Sequence, residues 1–232
     1  QIQDLIVPGS IDIDTALVFV NAIYFKGIWE MAFKEEDTQE MPFNVTEQES
    51  RLVQMMCQNG TFKVARVAAE KMKILELPYA SGELSLLVLL PDDISGLKQL
   101  ENKINFEKLT EWTSPSVMEK KRVQVYLPRM KIEKKYNLTS VLMTLGMTDL
   151  FSPAANLSGI SPAESLKVSE AIHEAFLEVT EEGTEVAGSG LVTGDIQDSS
   201  EFEEFRVDHP FLFLIRHNPS NMILFFGRYC SP

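Results

Sequence analysis

One stretch near the start of the chain constrains the fold more than any other. The segment TALVFVNAIYF, residues 15–25, is rich in β-branched and aromatic residues and carries no charged side chain. This pattern is typical of a central β-strand that is buried on both faces, because a strand with one solvated face alternates apolar and polar residues. We therefore expect a sheet in which this strand has neighbours on both sides and cover on both faces.

The rest of the chain mixes strand patterns with helix patterns in no regular order, and neither a repeat nor a linker interrupts it. This mixture indicates an α+β fold, with residues 1–232 as a single domain. A short helix in residues 137–151 would bury Leu138, Val141, Leu142 and Leu145. The other predicted elements are two strands in 71–93 joined at 80–82 and stopped by Pro91, one or two amphipathic helices in 95–112, one strand over 121–132, and two strands around the turn 217–221.

Composition excludes several classes of function. The formal net charge of -13 argues against nucleic acid as a partner, and no apolar run approaches the ~20 residues of a membrane span. No HExxH, CxxC, phosphate-loop or GxSxG motif occurs, so we expect no enzyme, no metal and no cofactor. Asp208 and His209 suggest a catalytic pair, but neighbours on a strand point to opposite faces, and we expect His209 to be structural.

Cysteines and glycosylation sequons bear on the compartment. Cys57 and Cys230 are too few for a disulfide framework, and we expect two buried free thiols. The start, QIQDLIVPGS, has neither an initiator Met nor a signal-peptide pattern, which suggests a processed chain or a fragment. Four Asn-x-Ser/Thr sequons favour a secreted, extracellular glycoprotein. The sequons are at Asn44, Asn59, Asn137 and Asn156.

Two segments have unusual charge. Residues 119–122 and 129–135 form the one basic neighbourhood, which predicts a solvated face or, alternatively, a site for a polyanion such as heparin. Residues 181–205, EEGTEVAGSGLVTGDIQDSSEFEEF, contain four glycines, many acids and no Lys or Arg. Their acids, Glu181, Glu182, Glu203 and Glu204, are more typical of a solvated loop than of a metal site. The polyanion site would use Lys120, Lys121, Arg122, Lys131, Lys134 and Lys135.

Six stretches together resemble the serpin family, in the serpin order and over nearly the whole chain. The likeness is strongest to ovalbumin-type, egg-white serpins, in DTQEMPFNVTEQES, EKMKILELPYASG, NFEKLTEWTS and GRYCSP. The resemblance implies a fold of three β-sheets with surrounding helices and an exposed reactive-centre loop at about 181–205. A whole serpin is longer, so this chain would be the C-terminal portion and the missing N-terminal part would be a partner of it. The six stretches are LVFVNAIYFKGIWEMAF, VQMM, LELPY, VYLPRMKIEKKYNLTSVLMTLGMTDLF, ANLSGIS and FRVDHPFLFLIR.

The resemblance also gives the loop a use. In inhibitory serpins a protease cleaves the loop, whose first half then inserts as a strand into the main sheet. The alternate residues from Thr184 to Ile196 carry no charge, so one face of an inserted strand would tolerate burial. Val186 and the glycines at 188 and 190 weaken such a strand, by roughly 0.5–1 kcal/mol per glycine. The loop hinge matches the family at Glu181, Glu182, Gly183, Thr184, Glu185, Val186 and Ala187.

Slow insertion would make the chain a protease substrate more than a protease trap. The scissile bond would fall near Ile196, Gln197 and Asp198 by distance from the hinge. Val192 or Ile196 would suit an elastase-like pocket and Phe202 a chymotrypsin-like one. We expect a secreted glycoprotein with a storage role and weak or no trapping, with glycan at Asn137 because ovalbumin-type serpins share that sequon. Inhibition of a serine protease and polyanion binding remain alternatives.

Overall fold

The computed structural model describes residue 15 and residues 17–161, 166–182 and 202–232. These residues form two compact units, one comprising the chain up to Lys26 with Lys131–Glu178, the other Gly27–Met130 with Val179–Pro232. The strands are β1 Val18–Lys26, β2 Gln39–Asn44, β3 Ser50–Val67, β4 Met72–Pro78, β5 Leu84–Pro91, β6 Glu119–Pro128, β7 Met130–Asn137, β8 Glu170–Val179, β9 Glu203–Arg206, β10 Phe211–His217 and β11 Met222–Tyr229. The α-helices are α1 Leu97–Lys103, α2 Phe106–Trp112 and α3 Thr139–Thr144.

The larger unit is built on one sheet with the strand order β11-β10-β5-β4-β3-β6-β9, and β2 pairs with β3 beside this path. β3 is 18 residues long, so it pairs with β2 in its first part and with β6 and β4 further along. β5 and β10 are buried on both faces along most of their length, which agrees with their largely apolar sequences. The predicted strand pairs in 71–93 and at the C-terminus are both confirmed.

The helices α1 and α2 cover the core of this sheet. They confirm the prediction of one or two helices in 95–112, and Asn105 separates them because its side-chain oxygen accepts from the Lys108 N–H at 2.8 Å, an N-cap. Among the described residues, no helix is both long enough and apolar enough to cross a membrane. The core cluster consists of Ala65, Met72, Ile74, Leu87, Leu89, Leu97, Leu100, Leu109, Trp112, Met118, Leu212 and Leu214.

The smaller unit contains a three-stranded sheet with the order β1-β8-β7. β1 is the predicted strand of residues 15–25, but it is not central or buried. It lies at the edge, β8 is its one paired neighbour among the described residues, and Phe19, Val20 and Tyr24 are 42–48% exposed. The burial prediction is therefore wrong here, because an apolar run implies cover for the strand but does not supply it.

Two further predictions need correction. The helix of residues 137–151 forms as α3 and is followed by Gly146 at φ 98°, but Val141 and Leu145 on its predicted buried face are 50% and 74% exposed. Apolar spacing sets which residues share a face, and not whether another element covers it. The single strand predicted over 121–132 is interrupted at Arg129, so that β6 and β7 belong to different sheets.

Candidate functional site

The segment that enters residues 181–205 is fixed by hydrogen bonds to three of its backbone carbonyls. After β8, the Trp29 side-chain N–H donates to the Thr180 carbonyl at 2.7 Å, and the Trp29 backbone N–H donates to the Glu182 carbonyl at 3.0 Å. The Phe33 N–H donates to the Glu181 carbonyl at 3.1 Å. Three consecutive carbonyls are thus held by one short stretch of chain, and residues 180–182 have a defined path.

The Glu181 side chain is the second anchor. It is 5% exposed, and its carboxylate accepts from Arg129 Nε at 3.0 Å and from Thr38 Oγ1 at 2.7 Å. Burial by itself raises the pKa of Glu181, but the hydrogen bonds from Arg129 and Thr38 outweigh it and lower the pKa below its ordinary value. The expectation of a solvated acid is wrong for Glu181, because a cation 52 residues earlier in the chain pairs with it.

Local packing explains why Trp29 can hold this position. Its ring stacks on Tyr79 at 4.5 Å between centroids and meets Phe33 edge-on at 5.9 Å. The Trp29 ring is 2% exposed, and its backbone forms a bridge with Tyr79. Such aromatic contacts are worth about 0.5–1.5 kcal/mol beyond the burial of area, so the donor of the Thr180 bond is itself rigid.

The far end of the predicted loop is also held. β9 pairs in parallel with β6, so residues 203–205, which were predicted to belong to the loop, belong to a strand. The Arg122 guanidinium lies 4.3 Å above the Phe202 ring, and Lys121 Nζ lies 3.5 Å from Glu203. Glu203 and Glu204 both have basic partners, the latter in Arg206 at 2.9 Å.

The remaining loop predictions lie outside the described residues. These are the hinge residues Gly183, Thr184, Glu185, Val186 and Ala187 and the candidate scissile residues Ile196, Gln197 and Asp198.

The strand that leads into the predicted loop, β8, is directly paired with β1 in this structure. β1 and β8 run parallel in unbroken register from Val18 opposite Glu170 to Lys26 opposite Glu178. The Asn21 side-chain amide also donates to His173 Nδ1 across this pair, at 3.1 Å. An incoming strand would therefore have to part a continuous ladder of backbone hydrogen bonds.

The expectation that Asp208 and His209 point to opposite faces is wrong, and both nitrogens of the His209 ring have acceptor partners. Its Nδ1 lies 2.8 Å from Asp208 Oδ1, so the two neighbours do meet, because they precede β10 and are not in a strand. Its Nε2 lies 2.7 Å from the Pro91 carbonyl, so both ring nitrogens are occupied by acceptors. Burial lowers the pKa of His209, but the bonds to Asp208 and Pro91 outweigh it and raise the pKa overall.

The six cations of the predicted polyanion site divide between the two units. Lys120, Lys121 and Arg122 lie on β6, whereas Lys131, Lys134 and Lys135 lie on β7. Two further contacts engage this set, since Lys131 Nζ lies 5.5 Å from the Phe176 ring and Lys135 Nζ lies 3.8 Å from Glu174. Polyanion binding stays a prediction.

The sequons and cysteines have the following surroundings. Asn59, Asn137 and Asn156 are exposed and Asn44 is half-buried. The Asn137 side-chain oxygen accepts from the Thr139 N–H at 3.0 Å, so this sequon forms a local turn. Both cysteines are free and partly buried, and burial raises the pKa of each thiol.

The class of protein follows from comparison with known families. The family described as Serpin (serine protease inhibitor) matches residues 1–232, and the chain belongs to this family. Within the family it is an ovalbumin-related serpin, 68% identical over its full length to ovalbumin-related protein X of Gallus gallus, all of which it covers.

Solved structures show the same relationship. Uncleaved ovalbumin is 62% identical, with a TM-score of 0.90 over 99% of this chain and 58% of that chain. A cleaved ovalbumin mutant in its loop-inserted form is 54% identical, with a TM-score of 0.84 over 100% of this chain and 59% of that chain. The chain thus spans about three fifths of the ovalbumin chains that it matches. The α+β serpin fold, in its C-terminal portion, is confirmed.

Proposed function

We propose that this chain is part of a secreted glycoprotein serpin, not an enzyme, whose loop can insert into the sheet but traps proteases weakly or not at all. A storage role in egg white would follow from this. The observation that carries the proposal is the anchored loop entry, with the Glu181 carboxylate bound to Arg129 and Thr38 and three consecutive carbonyls held by Trp29 and Phe33.

Anchoring bears on the rate of insertion. A trap must insert its cleaved loop before the acylated protease is released by hydrolysis. Every bond that has to break before the loop can insert therefore slows insertion. For the loop to enter beside β8, the strand that leads into it, the loop entry must leave the Arg129 ion pair and β1 must separate from β8. The uncharged alternate residues from Thr184 onward support insertion once these bonds have broken, and the glycines at 188 and 190 weaken the inserted strand. The loop-inserted form of a cleaved ovalbumin mutant also supports a loop that can enter the sheet.

The test is thermal denaturation of the full-length protein before and after elastase cleaves the loop. We expect a rise in melting temperature after cleavage and no SDS-stable complex with elastase or chymotrypsin. Thr184→Arg should abolish the rise, because a charge would enter the buried face at a cost of several kcal/mol. Glu185→Arg is the matched control on the alternate face and should preserve the rise.

Each other outcome has a definite meaning. A covalent complex would replace the proposal by a working serine-protease inhibitor. An unchanged melting temperature after cleavage in the unmodified sequence would show that the loop stays outside the sheet. A rise that survives in Thr184→Arg would show that insertion does not use this hinge.

We propose that the glycan is carried by Asn137, with Asn59, Asn156 and Asn44 as further candidates. Support comes from the exposure of Asn137 and from the sequon turn formed with Thr139. Mass spectrometry of material secreted by eukaryotic cells should find Asn137 occupied, and Asn137→Gln should remove one glycan mass. An unmodified Asn137 peptide in the secreted protein would contradict this.

A further inference from the structure

A groove of about 830 Å³ in the larger unit shares Trp29, Arg122 and Phe202 with the loop ends described above. Its lining includes the buried side chains of Trp29, Phe62 and Leu77, which form an apolar floor. Met31 and Phe202 also line it and are 41% and 37% exposed. A volume of this size lies within the ~300–1,000 Å³ that is usual for sites of small organic ligands.

The shape of the groove depends on a close backbone approach at Gly60. A Cβ atom on Gly60 would stand 2.5 Å from the Met31 Cε and 2.7 Å from the Phe62 ring. The absence of a side chain there lets Met31 and Phe62 pack directly on β3. Met31 and Phe62 thus both lie over Gly60, and the lining also includes the polar residues Gln58, Asn59 and Thr61.

The charged side chains that line the groove indicate the kind of head group that a ligand would carry. Among the described residues that line the groove, Arg122 is the one cation, and its guanidinium lies 4.3 Å above the Phe202 ring. A planar guanidinium fork pairs best with a carboxylate or a phosphate. Glu30 also lines the groove and would repel an anion, so a single head group would lie at Arg122 with an apolar tail over the floor.

We propose that this groove binds an amphipathic monocarboxylate of the long-chain fatty-acid type, with its carboxylate on Arg122 and its chain against Met31, Phe62 and Phe202. The proposal is independent of whether the loop inserts. The ligand would rest on Trp29, which holds the Thr180 and Glu182 carbonyls, so occupancy should also reduce elastase cleavage of residues 183–201.

The test uses the full-length protein and cis-parinaric acid, a fluorescent fatty acid, with palmitate as competitor. We expect saturable fluorescence enhancement that palmitate reverses and dodecylamine does not. Arg122→Gln should weaken binding about tenfold or more, the usual effect of losing a charged hydrogen bond. Lys120→Gln removes a charge from the same strand but does not line the groove, and it should leave the affinity unchanged.

A second variant tests the apolar half. Met31→Glu changes a side chain that is 41% exposed, so the protein should fold, and it should weaken parinarate binding by placing a charge beside the apolar chain of the ligand. Equal affinities in Arg122→Gln and Lys120→Gln would overturn the proposal, since binding would then reflect general surface charge. Failure of parinarate to saturate, or an unchanged affinity in Met31→Glu, would overturn it as well.

Discussion

Replacing Arg129 by Gln should destabilise the protein by leaving the Glu181 carboxylate buried with Thr38 as its remaining side-chain donor. Removing one partner of a buried ion pair typically costs 3–5 kcal/mol, and a hydrogen bond to a charged group contributes about 1.5–3 kcal/mol. The Arg129 side chain is 44% exposed, so water partly replaces it and the lower figure applies. We expect a loss of about 2 kcal/mol, or roughly 4–8 °C in melting temperature for a chain of this length.

The pH dependence gives this prediction its sharpest form. The folded protein lowers the pKa of Glu181 below 4.5, so the ionised carboxylate contributes stability above that pH and loses it as the pH falls through the folded value. The difference in melting temperature between the unmodified protein and Arg129→Gln should therefore be full at pH 7 and vanish well below pH 4.5. Arg129→Lys keeps the positive charge but not the two-donor guanidinium fork, so its melting temperature should fall less than that of Arg129→Gln.

A double-mutant cycle measures the coupling directly. The double variant Arg129→Gln, Glu181→Gln should lose less free energy of unfolding than the sum of the losses in the two single variants, because the double variant leaves neither charge without its partner. Strict additivity, or a melting temperature in Arg129→Gln that matches the unmodified protein at pH 7, would refute the assignment of this pair as the anchor.

Two further predictions concern other parts of the larger unit. Because the pKa of His209 is raised in the folded protein, the stability from its bonds to Asp208 and Pro91 is full below about pH 6.5 and is lost as the pH rises through the folded pKa. His209→Gln should therefore reduce the pH dependence of the melting temperature between pH 6 and 8. Parallel plots of melting temperature against pH for the variant and the unmodified protein would contradict this. Gly227→Ala would place a Cβ atom 2.6 Å from the buried Phe213 ring and should cost about 1–3 kcal/mol in urea unfolding, whereas Gly159→Ala, with nothing within 4 Å, should cost little; equal values would contradict it.

Local sequence patterns predicted most of the larger unit. The apolar runs of β4, β5, β10 and β11 and the amphipathic helices α1 and α2 all appear where periodicity and turn residues placed them. Each of these elements carries its own signal, because burial, capping and turn formation act over a few residues. β3 was missed as an 18-residue strand, since polar residues and Gly60 interrupt its alternation and its pairing with three other strands decides its length.

The anchor at the loop entry could not be predicted in the same way. Glu181 pairs with Arg129 and Thr38, which are 52 and 143 residues away in sequence, and nothing near Glu181 distinguishes it from its exposed neighbour Glu182. Family resemblance marked Glu181 as a hinge residue but did not reveal its partners. Electrostatic pairs of this kind follow from topology, so they emerge when the strand order is known.

The four-residue pairing of β9 with β6 has a practical consequence for anyone who purifies this protein. A cut between residues 183 and 201 leaves the C-terminal piece within the eight-stranded sheet, through β9, β10 and β11. The two pieces should co-migrate on gel filtration and native electrophoresis, and separate only in denaturant. A nicked preparation would thus pass as intact unless it is analysed by SDS electrophoresis or by a mass increase of one water molecule.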